Sequence, residues 1–170
     1  INDGTGEDLI KELDIANNFY SYIKDGVLDF GSSLAIIGGD ISVEGENADI
    51  LARNLMVGRN LNFRTNYGYI QLSERNEVDG DAYITSDNDN VYINKLNVGN
   101  DLKVDALELA YISLANVNGN ITISTIHSFF FKILRCNGYK SLPFDLSRNH
   151  TVHQSTGCTE CSVRRMRSHP

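Results

Sequence analysis

A seven-residue phrase recurs five times along the middle of the chain, and its spacing leaves few folds open. The copies are Ile37-Gly38-Gly39-Asp40-Ile41-Ser42-Val43, Val57-Gly58-Arg59-Asn60-Leu61-Asn62-Phe63, Val78-Asp79-Gly80-Asp81-Ala82-Tyr83-Ile84, Val98-Gly99-Asn100-Asp101-Leu102-Lys103-Val104 and Val117-Asn118-Gly119-Asn120-Ile121-Thr122-Ile123. The Asp or Asn in fourth place falls at 40, 60, 81, 101 and 120, at intervals of 20, 21, 20 and 19. A period of this size marks a solenoid, in which each repeat covers the apolar face of the next and none is stable alone.

Apolar residues alternate after each corner, as Ile41/Val43, Leu61/Phe63, Ala82/Ile84, Leu102/Val104 and Ile121/Ile123. A period of two puts each pair on one face of a strand. Further strand-like segments lie near Ile50, at Tyr69-Ile70-Gln71-Leu72, Val91-Tyr92-Ile93 and Leu109-Ala110-Tyr111-Ile112. A third set, Leu55/Val57, Leu96/Val98 and Leu114/Val117, leads into the next corner. Such a repeat has no room for an additional helix of ordinary length. The fold class is therefore mainly β: a single-stranded β-solenoid (parallel β-helix) of about five to six coils, stacked roughly 4.8 Å apart.

Gly39, Asp40, Asn60, Gly80, Asp81, Asp101, Gly119 and Asn120 read as structural corner residues. Glycine is expected there because a corner between strands often calls for positive φ. The polar residue bonds nearby backbone amides, and stacked Asn side chains can bond along the ladder.

Residues 5–23 read as a helix. Thr5 and Asp8 suit a capping box, and Leu9, Leu13, Ala16 and Tyr20 recur at three- and four-residue steps, widened by Ile10 and Phe19. The expected division is a helical cap over residues 1–30, solenoid repeats over 31–143 and a basic Cys/His-containing tail over 144–170. Phe129-Phe130-Phe131 and Ile133-Leu134 continue the pattern, and Cys136-Asn137-Gly138-Tyr139 has the form of a sixth corner. Pro143 then removes a ladder donor. A leucine-rich repeat around Leu134, Asn137 and Leu142-Pro143 is the rival fold, but the preceding repeats lack its leucine spacing.

The Val-x-Gly-Asn/Asp-Leu-x-Val phrase resembles the repeats of parallel β-helix and β-solenoid proteins over about residues 37–140. That class includes bacterial surface adhesins, polysaccharide-cleaving enzymes and polymer-forming bactofilins. The resemblance implies architecture. It does not imply one activity, because such scaffolds host many sites.

Charge is unevenly placed. Residues 1–127 hold 20 acidic and 8 basic side chains, a balance of −12, whereas residues 128–170 hold 2 and 7, a balance of +5. An acidic body argues against nucleic acid as a partner. The basic end, Arg164-Arg165-Met166-Arg167, suits an acidic surface such as the body of a neighbouring copy. There is no apolar run long enough to cross a membrane, so no membrane insertion is expected. The first residue is Ile1 rather than Met, so a processed form or an excerpt is expected.

Asp79/Asp81 and Asp87/Asp89 form the densest acidic cluster, chemistry suited to acid–base work or to a hard cation such as Ca²⁺. Asp81 aligns with the corner residues, however, and Asp87-Asn88-Asp89-Asn90 reads as a longer corner insert without an EF-hand pattern. In the tail, His150, His153, Cys158 and Cys161 suit a zinc ion. The competing reading is a disulfide from Cys136 to Cys158 or Cys161. No nucleophile elbow, metalloprotease motif or phosphate loop is present, and His127 reads as a packed or surface histidine. No cofactor is expected. Tyr67, Tyr69, Tyr83, Tyr92 and Tyr111 fall on or near strands, where an outward ladder would stack on sugar rings. Asn120-Ile121-Thr122 and Asn149-His150-Thr151 match the glycosylation sequon.

The functional expectation is a non-enzymatic structural or interaction protein of a cell surface or extracellular filament. It would self-associate through solenoid ends and contacts between acidic body and basic tail. The alternatives are a glycan-binding adhesin domain and a β-helical carbohydrate-active enzyme.

Overall fold

The computed structural model describes residues 7–10, 12–125 and 128–136, with side chains for residues 9, 10 and 12–125. Its strands are β1 (Glu7–Leu9), β2 (Leu13–Ile15), β3 (Phe19–Asp29), β4 (Ala35–Ile37), β5 (Ile41–Val57), β6 (Leu61–Thr65), β7 (Ile70–Val78), β8 (Ala82–Ser86), β9 (Val91–Ile93), β10 (Leu96–Val98), β11 (Leu102–Ala106), β12 (Leu109–Val117), β13 (Ile121–Thr125) and β14 (Ser128–Cys136). All 14 belong to one sheet. The chain winds into a β-solenoid of about six turns.

The parallel pairings sort the strands into three faces. The first stacks the opening halves of β3 and β5 on β6, β8, β11 and β13. The second stacks β1, the end of β3, the middle of β5, the start of β7, β9 and the starts of β12 and β14. The third stacks β2, β4, the ends of β5 and β7, β10 and the ends of β12 and β14. Register turns the sequence alternation into interior columns. Ile37, Val57, Val78, Val98 and Val117 stack in one, and Ile41, Leu61, Ala82, Leu102 and Ile121 in another, all buried. Each Val, Leu or Ile in these columns contributes about 1.5–3 kcal/mol of burial before entropy is subtracted.

The expected N-terminal helix is not there. Residues 7–9, 13–15 and 19–29 are strands, and the solenoid already includes them; among the described residues there is no helix. Of the apolar residues that suggested a helical stripe, Ile10, Leu13 and Phe19 pack toward the core, whereas Leu9, Ala16 and Tyr20 are exposed. Leu13 and Ile15 pair with Ala35 and Ile37, and Phe19 and Ser21 with Ile41 and Val43. Three- and four-residue steps arise as readily from short strands broken by corners as from a helix, so the periodicity was ambiguous. Thr5, the proposed cap, lies outside the described residues.

The corner residues form a ladder along the solenoid. The Oδ1 of Asn18 accepts a bond from the Asp40 N–H at 2.8 Å, and Asp40 accepts from Asn60 N–H at 3.1 Å. Asn60 accepts from Asp81 at 2.9 Å, Asp81 from Asp101 at 3.0 Å and Asp101 from Asn120 at 2.7 Å. Each rung from Asn18 to Asp101 therefore satisfies a backbone donor one coil further on. The side-chain amides of Asn60 and Asn120 add bonds to the carboxylates of Asp40 and Asp101, each at 3.0 Å. Asn18 is a rung that the repeated phrase did not reveal, because Ile15-Ala16-Asn17-Asn18 lacks glycine and stands 22 residues before Asp40. Asn60→Ala, which leaves the Asp81 N–H without its acceptor, is expected to cost about 1 kcal/mol, while Asn60→Asp keeps the acceptor and loses less. Urea unfolding midpoints of the two variants check this.

The reason for the corner glycines is not positive φ. Among the described residues positive φ occurs at Gly26 (116°), Gly31 (71°), Gly68 (157°) and Glu74 (60°), none of them in the repeated phrase. The constraint is space. A Cβ on Gly58 would lie 2.5 Å from the carbonyl oxygen of Gly38, and one on Gly80 would lie 2.6 Å from that of Arg59. Glycine then alternates between the two corner positions, at Gly58, Gly80, Gly99 and Gly119.

Unequal intervals have local causes. Ala52 pairs with Leu72 but Asn54 with Arg75, so β7 carries an extra residue at Ser73-Glu74. Glu74 takes the left-handed conformation of such a bulge, its carboxylate accepting from the Asn54 amide at 2.9 Å. Buried Asn76 braces the bulge by donating to the Ser73 carbonyl at 2.8 Å. Asp87–Asn90, by contrast, is no insert. It has the same length as the corner at residues 66–69, and the following corner, residues 107–109, is one residue shorter. Among the described residues no helix is long and apolar enough to cross a membrane.

Candidate functional site

The second face carries a cluster of half-buried tyrosines. At the start of β7, inward Ile70 and Leu72 leave Gln71, and Tyr69 just before the strand, pointing outward, and on β9 inward Val91 and Ile93 do the same for Tyr92. Register places Gln71 beside Tyr92 and Tyr92 beside Tyr111 on consecutive coils. The Tyr69 and Tyr92 rings meet edge to face, with centroids 6.2 Å apart and planes at 79°. These residues, with Leu72, Ser73, Asp89, Asn90 and Asn94, line an open groove of about 610 Å³. The extra residue of the β7 bulge puts Ser73 on its rim.

A smaller hollow of about 330 Å³ adjoins it at the corner before the second face. Gly26, Asn47, Asp49, Tyr67, Gly68, Asn88 and Asp89 line it, so Asp89 belongs to both. The Asp49 carboxylate accepts from the Tyr69 N–H at 3.0 Å. Partial burial pushes the Asp49 carboxyl above the ordinary aspartate range, the bond from Tyr69 opposes this, and the charge of Asp89 adds to the rise. The Tyr69 hydroxyl is also raised, first by burial and then by Asp49, Asp29, Tyr92 and Asp89. Asp89 in the groove and Asp49 in the adjoining hollow are the charged side chains that line them.

A carboxyl whose folded pKa exceeds its unfolded one binds protons more tightly when folded. Its stabilising contribution is complete below the unfolded pKa and is lost as pH rises through the folded one. Asp49→Asn retains an acceptor for Tyr69 and is expected to flatten this fall in stability from the ordinary aspartate range upward. Thermal midpoints of both proteins across that range check the prediction.

The acidic cluster is dispersed by the fold. Asp81 is a ladder rung that also accepts from the Tyr83 hydroxyl at 3.4 Å. Asp79 sits at the exposed outer corner. Asp87 is held by Arg64, with Nη2 at 2.7 Å and Nε at 3.1 Å. Asp89 alone of the four lines the groove; its Oδ1 accepts from the backbone and side-chain nitrogens of Asn90, each at 2.7 Å. Among the described residues no three His, Cys, Asp or Glu side chains gather where they would hold a metal ion.

Of the five tyrosines singled out in the sequence, the structure brings together Tyr69, Tyr92 and Tyr111. Tyr67 lines the smaller hollow, and Tyr83 stands on the first face. Asn120 of the first sequon commits its amide to Asp101. His127, His150, His153, Cys158, Cys161, Asn149, Asn137–Tyr139 and Pro143 lie outside the described residues, as do the side chains of Cys136 and Phe129–Phe131. Cys136 pairs through its backbone with Val117 on the third face. The sequence reading missed Asp49, Gln71 and Asn94. Strand alternation marks Gln71 as outward, and the 20-residue period itself sets Asp49 one coil from Tyr69.

Flat aromatic rings flanked by side-chain amides and one carboxylate suit a ligand with apolar C–H faces and a polar rim. No family model, curated protein or solved structure matches this chain.

Proposed function

We propose that this chain is a non-enzymatic interaction module of a cell surface or extracellular filament, and that its contact surface is the tyrosine groove, which takes a glycan. The observation that carries the reading is the convergence of Tyr69, Tyr92 and Tyr111 from three consecutive coils into one groove rimmed by Gln71, Asn90 and Asn94. Pyranose rings present C–H faces to aromatic rings and hydroxyls to amides, and a rigid sheet holds both without an ordering cost. Binding is favoured over turnover by the engagement of Asp81 and Asp87 with the ladder and with Arg64.

The test is an oligosaccharide array followed by titration calorimetry on the full chain. Tyr92→Ala is expected to weaken a bound glycan about tenfold while leaving the β-sheet circular dichroism unchanged. Glycan binding that survives substitution of Tyr69, Tyr92 and Tyr111 sinks the proposal.

Self-association is a second reading, favoured by the first coil. Among the described residues, β2 and the stretch Phe19–Ile23 of β3 pair with a neighbour on one side only. Such an edge suits the last coil of another copy. Electron microscopy at low and high salt decides it; a monomeric particle at every salt concentration counts against filaments.

A further inference from the structure

Resting on the glycan reading, we infer that the groove selects a positively charged sugar: a polymer of hexosamine with unacylated amino groups, its ammonium seated at Asp89. The first support is geometric. Asp89 is the single charged side chain lining the tyrosine groove. Its Oδ1 is engaged by Asn90, and its Oδ2 has no hydrogen-bond partner among the described residues. The second is charge. Asp89 also lines the adjoining hollow with Asp49, so two carboxylates share this corner, and no Lys or Arg lines either hollow. Burial first, and then the charges of Asp49, Asp29 and Asp89, disfavour ionisation of the Tyr69 hydroxyl. Arg53 is committed to Asp29 at 3.1 Å, and Arg64 to Asp87.

An anion in this groove would face carboxylates without compensation, which excludes uronic and sialic acids. A neutral sugar would leave Asp89 unmatched. An ammonium relieves the repulsion between Asp49 and Asp89 and is attracted to the faces of Tyr92 and Tyr111. Acetylating the amine removes the charge and both interactions, so the acyl state of the polymer is what this site reads.

The experiment is calorimetric titration of the full chain with three probes: a glucosamine hexamer at a pH where its amines are protonated, its N-acetylated counterpart, and a galacturonic acid hexamer. The glucosamine hexamer is expected to bind about fivefold to tenfold more tightly than the N-acetylated one, with no binding of the acid. High salt should shrink that ratio. Asp89→Asn, which keeps an acceptor for Asn90, should bring it close to one. Glu44→Gln removes the same charge from the exposed first face and should leave the ratio unchanged.

Equal affinity for the amine and acetyl forms, a ratio unaltered in Asp89→Asn, or an equal loss in Glu44→Gln overturns the inference, the last by exposing a bulk charge effect. A hexalysine peptide that binds as tightly as the glucosamine hexamer overturns the choice of a sugar. If the N-acetylated hexamer binds as well as the amine, this inference falls and the glycan reading stands. If no sugar on the array or in the titration binds, both fall.

Discussion

Phe63→Ala is expected to cost about 3–5 kcal/mol, a large share of the roughly 5–15 kcal/mol that holds a domain folded. Phe63 is fully buried on the first face, between Val43 below and Ile84 above. Its ring stacks on Phe30 with centroids 5.9 Å apart and planes within 10°. Phe30 in turn meets Phe19 edge to face at 5.8 Å. The three rings tie the first face to the far side of the interior across neighbouring coils. Truncation leaves a void that the surrounding backbone, hydrogen-bonded above and below, has little freedom to fill. Since each coil is stabilised mainly by its neighbours, the loss weakens two interfaces at once. Phe63→Leu should recover more than half of the stability. Urea unfolding measures both, and a loss below about 1 kcal/mol for Phe63→Ala would contradict the packing described.

The second large effect is expected at an exposed corner. Gly58→Val should cost about 3 kcal/mol, although Gly58 lies at the surface and in ordinary φ territory. A Cβ there would sit 2.5 Å from the Gly38 carbonyl oxygen and 3.0 Å from its carbon. Those atoms are backbone within the stack, and they cannot swing aside as a side chain would. The Gly58 N–H also donates to the Ile37 carbonyl at 2.8 Å, so separating the coils to make room strains that bond. Neighbouring Arg59→Ala, also exposed, should stay within about 0.5 kcal/mol. Equal effects from the two substitutions would show that the corner is not close-packed.

These corners show how far residue order could be read. The five Asp/Asn positions found by period are rungs of one hydrogen-bonded column, and the glycines beside them are required, though for closeness rather than for φ. The first rung, Asn18, escaped because a longer corner at Gly31-Ser32-Ser33-Leu34 stretched the spacing to 22 residues. Burial preference follows a period closely only while every corner keeps its length.

The groove was less legible than the core. Tyr69, Tyr92 and Tyr111 were visible as outward aromatics, but so were Tyr67 and Tyr83, which the fold sends elsewhere. Their separation depends on which corner lies between them. Asp49 and Asp89 stand 40 residues apart in sequence, two turns of the repeat, and both line the smaller hollow.

The chain's own residue order determined the coil: its length, its inward columns and the polar rung at each turn, since burial and backbone pairing demand these at every repeat. Tertiary structure alone decided which outward side chains share a surface. Solvent-facing positions carry no such demand, and adding or removing one residue at a single corner changes their neighbours on the next coil.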